Sequence, residues 1–328
     1  MAPVSSKKLV FKEFGPPRAV LELADSDLAE PNDGEVAIRF LAAPINPADL
    51  NTIEGTYGIK PPLPATPGIE GCGEVIESRS EAFAPGDRVM FLRRAGSWAT
   101  HGIVPADALF KLPPSIDPLQ AAMLKVNPAT AWRLLHGFSP LSPGDWIVQN
   151  AGNSAVSRCV IQLAAELGIR TISFVRRPEL IEELHTLGAT HVFLDNPEGQ
   201  DAALSIMDGK NATLAFNSVG GESALRLMNL LKFGGSHITY GAMARRPLTV
   251  PNGLLIFRDL RLRGLWVTQW LENAPIDQVH DTYRALSERV VSGKLVQPVD
   301  STYPLEQYPA ALERLTAPDR SGKVLFVL

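Results

Sequence analysis

Cysteine is nearly absent from this 328-residue sequence, which has only Cys72 and Cys159. Two isolated thiols cannot build a disulfide framework or a four-thiolate zinc lobe, so a reducing compartment fits better than secretion. The chain also lacks any uninterrupted apolar run of about 18 residues, the length a membrane-spanning helix needs. Its opening Met-Ala-Pro-Val-Ser-Ser-Lys-Lys contains no apolar signal core. A soluble cytoplasmic protein with no membrane contact is therefore expected. There is no excess of positive charge either: 31 Lys and Arg against 35 Asp and Glu leave a formal charge of -4 and a pI near 5.9. That balance speaks against a nucleic-acid partner, which calls for a basic face. No repeat or low-complexity tract stands out. The remainder, 45% hydrophobic and 20% charged, is ordinary for a globular protein, and its length suggests two domains at roughly 150 residues each.

Proline is unevenly spread. Eighteen of the 27 prolines lie at or before Pro143, and only Pro178 and Pro197 fall between Gly144 and Arg246. Proline is poorly tolerated in helices and central strands, so the first region should be turn-rich and strand-based and the second should carry regular alternating elements. In the first region Lys7 to Phe11, Glu35 to Ala43, Gly73 to Glu77 and Asp87 to Phe91 read as short strands bounded by Gly, Pro and Asp. From Trp146 the pattern alternates. Strands are expected at Trp146 to Gln149, Arg170 to Val175, His191 to Leu194, Leu214 to Asn217 and Ser236 to Tyr240. Helices are expected at Ala155 to Gly168, Pro178 to Leu187 and Gly221 to Leu231. Alternation of this kind means βαβ units and a parallel, doubly wound sheet. An amphipathic helix from about Ile276 to Ser292 and an apolar strand at Lys323 to Leu328 close the chain.

The segment Asn150-Ala151-Gly152-Asn153-Ser154-Ala155-Val156 lies between a strand and a helix, where backbone N–H groups and the helix dipole suit a pyrophosphate. The usual glycine spelling is incomplete, since Ala155 and Ser157 stand where glycines are common. An ordinary turn capped by Ser154 or Asn153 is the competing account. The next strand ends Phe174-Val175-Arg176-Arg177 with no carboxylate. An acidic residue there would bind the ribose diol of NAD, whereas arginine accommodates a 2′-phosphate, so Arg176 and Arg177 point to NADPH rather than to surface charge alone.

Taken in order, Asn46-Pro47-Ala48-Asp49-Leu50-Asn51, Gly55-Thr56-Tyr57-Gly58, Pro67-Gly68-Ile69-Glu70-Gly71, Asn127-Pro128-Ala129-Thr130-Ala131 and Gly220-Gly221 resemble the medium-chain dehydrogenase/reductase superfamily over nearly the whole chain. More narrowly, Ala42 to Pro47, Ile161 to Ala164 and Leu255 to Gly264 look like the trans-2-enoyl thioester reductases of mitochondrial-type fatty acid synthesis. The resemblance implies a GroES-like β-rich catalytic domain at 1–122, a Rossmann domain at 123–296 and a return to the first domain at 297–328. It also implies a dimer, and a homodimer formed by edge strands near Ser236 to Tyr240 and Leu260 to Trp266 is expected, because an apolar open-sheet edge needs covering. Zinc-dependent members carry a ligand cysteine near Asn46 and a Gly-His-Glu string where this chain has Gly68-Ile69-Glu70, so no catalytic zinc is expected. Lys125 and Trp132 depart from the narrow pattern, which has a small residue and a tyrosine there.

By the same resemblance, Tyr57 is the hydroxyl donor to an enoyl thioester as hydride addition at the β-carbon builds charge on the carbonyl oxygen. Asn46 and Asn51 are candidate partners for that oxygen or that hydroxyl, although Asn beside Pro also forms turns. Asn127, Thr130, Gly152, Asn153, Ser154, Ala155, Val156, Arg176, Arg177, Tyr240, Gly241 and Met243 are assigned to NADPH. Ile256, Phe257 and Trp266 are assigned to the substrate pocket, against the plainer account of core or interface aromatics. Glu70 reads as structural. A quinone reductase or another activated-alkene reductase, and a non-catalytic NADPH-binding protein, remain as alternatives, because fold alone does not decide function.

Overall fold

The computed structural model describes residues 4–328. In chain order it runs through strand β1 (Val4–Phe11), helix α1 (Pro17–Val20), β2 (Leu21–Leu28), β3 (Glu35–Pro44), α2 (Pro47–Ile53), β4 (Cys72–Ser78), β5 (Arg88–Phe91), β6 (His101–Pro105), β7 (Leu109–Lys111) and α3 (Pro118–Ala122). There follow α4 (Asn127–His136), β8 (Trp146–Gln149), α5 (Ala155–Glu166), β9 (Arg170–Val175), α6 (Ile181–Thr186), β10 (His191–Leu194), α7 (Pro197–Met207), β11 (Ala212–Asn217), α8 (Gly221–Asn229), β12 (Leu231–Thr239), α9 (Asn252–Ile256) and β13 (Arg261–Gly264). The chain ends with α10 (Val267–Asn273), α11 (Ile276–Val291), β14 (Val299–Pro304), α12 (Tyr308–Arg314) and β15 (Lys323–Val327).

Two compact units result, one from residues up to Val126 together with Leu271–Leu328, the other from Asn127–Trp270. The expected boundary at residue 296 is thereby corrected: α11 belongs to the first unit. The reason is packing, since the Tyr283 hydroxyl donates to the Lys125 carbonyl at 2.9 Å and the Phe110 ring meets His280 edge-on and Tyr283 at a tilt.

The first unit is a sheet in the order β14-β15-β3-β4-β5-β7, with β6 on β3 and a separate β1-β2 hairpin. Its pairings are antiparallel except β14 with β15. The aromatic core includes Phe40, Phe91 and Trp98, each at most 1% exposed. Lys323 opens β15 and carries the end of the chain onto β3, where Leu325 pairs with Pro44.

The second unit is a six-stranded sheet, β10-β9-β8-β11-β12-β13, parallel throughout. Its central strands β8, β9 and β11 are buried along nearly their whole length, as a parallel sheet covered on both faces requires, whereas β13 is exposed. Counted from β8 the order is that of a Rossmann sheet, whose direction reverses between β8 and β11; ligands bind outside the strand C-termini at such a point. The expected pair of edge strands is corrected as well. β12 lies inside the sheet, hydrogen-bonded to both β11 and β13, and only β13 forms that edge, with all four residues exposed.

Candidate active site

At the reversal point β8 runs into α5 through Asn150 to Ser154. Ala151 takes a left-handed φ of 46°, which costs an L-residue roughly 1 kcal/mol and is concentrated at functional turns. Gly152 has a different reason to be glycine. Its N–H donates to the Phe174 carbonyl at 2.8 Å, and a Cβ there would come within 2.9 Å of Ser173 Cβ. Ser154 caps α5, its hydroxyl accepting from the Ser157 N–H at 3.3 Å. The first-turn N–H groups of α5 are thus presented beside a turn pressed against β9, the arrangement that receives a pyrophosphate.

Ser157, at a usual glycine position, is fully buried and donates to the Asn150 carbonyl at 3.3 Å, with the Ser154 hydroxyl 3.0 Å away and the Tyr240 hydroxyl at 3.5 Å. Burial pushes the Tyr240 hydroxyl above its ordinary pKa, so it stays protonated.

A polar chain absent from the expected set links the strand ends behind this turn. The Asn150 amide donates to Asn217 Oδ1 at 2.8 Å and to Ser223 Oγ at 2.9 Å, while Asn150 Oδ1 accepts the Ser218 N–H at 2.8 Å. Ser223 donates to Asp195 at 2.6 Å, and Arg226 Nε meets the same carboxylate at 2.8 Å. The signal for it was a polar residue at the C-terminal end of each of three strands: Asn150 and Asp195 just after β8 and β10, and Asn217 as the last residue of β11. The loop after β12 is tied to this chain, since the Met243 N–H donates to the Ser218 carbonyl at 2.9 Å and a Cβ on Gly241 would come within 3.1 Å of it.

The other nucleotide-side residues are placed as follows. Asn127 is the first helical residue of α4, not its cap, and Asn127 and Thr130 are both 6% exposed. Asn153 and Arg176 are exposed; Ala155, Val156 and Arg177 are half-buried, with Arg177 Nε 3.6 Å from Glu179. The expected pocket residues Ile256 and Phe257 are 70% and 76% exposed, and Trp266 is 36% exposed. Ile256 ends α9, a short helix with no buried residue, Phe257 follows it, and Trp266 lies just beyond β13.

In the first unit Asn46 precedes α2 and is buried. Its Nδ2 donates to Glu70 Oε1 at 2.8 Å, its Oδ1 accepts from the Lys323 ammonium, and its N–H donates to Asp49 Oδ2 at 2.9 Å. Past the other end of α2, the Asn51 carbonyl accepts the N–H groups of Thr56 at 2.8 Å and Tyr57 at 3.0 Å, which fixes the half-buried Tyr57 loop. Gly55 takes φ +73°, and a Cβ there would strike the Phe14 ring at 2.9 Å. Asn46 and Tyr57 are brought to opposite ends of one helix, not to each other.

Comparison with known proteins agrees with this architecture. Residues 32–114 match the alcohol dehydrogenase GroES-like domain model and residues 155–288 the zinc-binding dehydrogenase model. The mitochondrial enoyl-acyl-carrier-protein reductase of Xenopus tropicalis is 40% identical over 339 residues, covering 99% of this chain and 96% of its own. The chain belongs to the enoyl-acyl-carrier-protein reductase family, within the medium-chain dehydrogenase/reductases. Among solved structures similar to this reductase is Etr1p, a Candida tropicalis 2-enoyl thioester reductase seen with NADP and crotonyl-CoA and also as a heterodimer with Etr2p. In the NADP complex it shows a TM-score of 0.90 at 29% identity, over 99% of this chain and 100% of that one. A Bacillus thuringiensis chain provisionally assigned as an NADPH:quinone reductase superposes with a TM-score of 0.92 at 29% identity, over 99% of both chains.

The expectation of a cytoplasmic protein is overturned by these relatives, which are named mitochondrial. Composition could not have revealed that, since thiol scarcity and the lack of a long apolar run are shared by reducing compartments generally. Among the described residues no helix is long and apolar enough to cross a membrane. The residues at the zinc positions do not fit that ion: Asn46 Oδ1 is occupied by an ammonium and Ile69 is apolar.

Proposed function

We propose that this reductase transfers hydride from NADPH to the β-carbon of a trans-2-enoyl thioester, carried on coenzyme A or acyl carrier protein, without a metal. The observation that carries the reading is 40% identity over 99% of the chain to reductases of that name. The geometry supports it twice over. The Ala151–Gly152 turn and the start of α5 suit a dinucleotide, and Arg176 and Arg177 lie just beyond β9 where a 2′-phosphate is met. NADPH supplies the hydride when bound. The chain's own part is to hold the cofactor by Gly152, Asn153, Ser154, Ala155, Val156, Tyr240, Gly241 and Met243, with Asn127 and Thr130 facing the nicotinamide ribose.

Tyr57 donates to the thioester oxygen as negative charge gathers there. If this bond strengthens only in the transition state, Tyr57→Phe lowers kcat and kcat/KM together by roughly 10²–10³, the scale of a lost oxyanion donor, with NADPH affinity kept. A folded Tyr57→Phe variant that reduces crotonyl-CoA at the parental rate would remove Tyr57 from the chemistry. A quinone reductase is the second reading, favoured by the Bacillus thuringiensis likeness. NADPH oxidation with crotonyl-CoA against a quinone separates the two. Ile256, Phe257 and Trp266 are retained as substrate-side or interface residues. The exposed edge β13 is the strand through which a homodimer pairs, since an open edge needs cover.

A further inference from the structure

The role of Tyr57 leaves unexplained a cluster of buried ions at the other end of α2. Asp49, Glu70, Lys125 and Lys323 are 1%, 0%, 4% and 8% exposed, two carboxylates and two ammonium groups buried together. Buried ions persist only when paired and fully hydrogen-bonded. Here Asn46 joins three of them: its Oδ1 accepts from Lys323, its Nδ2 donates to Glu70 and its N–H donates to Asp49. Glu70 Oε2 accepts the Val126 N–H at 2.8 Å, and Lys125 Nζ donates to the Ile69 carbonyl at 2.9 Å. Asn46 and Ile69 occupy the positions at which zinc-dependent relatives place metal ligands. The positive charge beside Asn46 comes from Lys323, 277 residues further along, and Lys125 supplies a second beside Ile69.

The cluster grips one end of α2. Asp49 accepts from the Asn46 N–H with one oxygen and from the Ile69 N–H at 2.8 Å with the other, which fastens the first turn of α2 to the Ile69–Glu70 segment. Along the helix, Thr52 donates to the Ala48 carbonyl at 2.7 Å and accepts from Arg94 at 3.1 Å. At the far end the Asn51 carbonyl holds the Tyr57 N–H. A rotation of α2 about its N-terminus would therefore swing the Tyr57 loop. A seven-residue helix has little grip of its own, because isolated short helices are marginal and take their stability from tertiary contacts.

We infer that Lys323 is a positioning residue for the reduction: its ammonium, balanced by Glu70 and Asp49, takes the place of a bound cation and, through Asn46 and α2, sets the bearing of Tyr57. This rests on the reading of Tyr57 as the donor to the thioester oxygen. Lys323 touches no reacting atom, so its effect should exist only while the Tyr57 hydroxyl exists.

The test is a double-mutant cycle. Lys323→Met is made with and without Tyr57→Phe, and kcat with crotonyl-CoA and the NADPH dissociation constant are measured for each. Expected is a fall in kcat of ~tenfold from Lys323→Met alone, almost none when Tyr57→Phe is already present, and NADPH affinity within about twofold throughout. Since Lys323→Met strands Glu70, the paired change Lys323→Met with Glu70→Gln leaves no orphan charge from that pair and is carried through the same cycle. Equal falls in kcat with and without the Tyr57 hydroxyl would overturn the inference and leave the proposed function standing. Parental kcat for Lys323→Met, or loss of the fold in both sets of variants, would overturn it too. Parental kcat for Tyr57→Phe itself would refute the reading beneath it as well.

Discussion

His237 makes the folded protein sensitive to mild acid, and the size of the effect can be worked out. It sits on β12 between Ala215 of β11 and Leu262 of β13, is fully buried, and neither ring nitrogen has a hydrogen-bond partner among the described residues. Burial pulls its pKa from an ordinary 6.5 down to about 4. The folded state therefore holds a neutral ring where the unfolded chain would bind a proton. Stability is complete above about pH 6.5 and is lost as pH falls towards 4, because the unfolded state gains protons first. Between pH 8 and pH 5 this one group costs about 2 kcal/mol, from a shift worth 1.36 kcal/mol per pH unit over the window it spans. His237→Phe abolishes that slope. The assay is urea unfolding from pH 8 to pH 5, followed by tryptophan fluorescence, since four of the five tryptophans (Trp132, Trp146, Trp266 and Trp270) lie in the nucleotide-binding unit or at its edge. Asp49 and Glu70, whose pKa values burial raises, pull in the opposite sense but belong to the other unit and cancel in the difference between wild type and variant. Parallel stability curves for the two proteins would show that His237 is solvated or partnered, and the reasoning would fail.

Arg176→Ala with Arg177→Ala should raise the KM for NADPH ~tenfold or more and leave that for NADH nearly unchanged, because a charge-assisted contact to the 2′-phosphate is lost; equal use of both cofactors by the parent protein would sink the assignment. Gly152→Ala should push the phosphate turn off β9, weakening NADPH binding and destabilising the protein by about 1–3 kcal/mol in thermal and urea unfolding; unchanged affinity would mean that the turn does not meet the cofactor. Light scattering should report a homodimer at micromolar concentration, and a monomer would leave β13 without the proposed cover.

Local pattern was enough for much of this molecule. The strands Trp146 to Gln149, Arg170 to Val175 and His191 to Leu194 were legible to the residue, since each is an apolar run closed by turn residues. The turn at Asn150 to Ser154 was legible by its place between strand and helix even without the usual glycines. Other elements were not. β12 was expected as an edge strand beside the one near Leu260 to Trp266, and only its pairing with both β11 and β13 places it inside the sheet. The tail strand was expected near its true limits, yet nothing around Lys323 announced that its ammonium would reach Asn46, nor anything near Tyr283 that α11 would lock onto Lys125. Sequence by itself determined the class of fold and the place of the strand-to-helix turn at Asn150 to Ser154, because each depends on neighbours in the chain. Tertiary structure alone decided which buried charges meet and which strand ends share the Asn150–Asn217–Asp195 chain, because such pairings depend on how distant segments close and leave no periodic mark on the sequence.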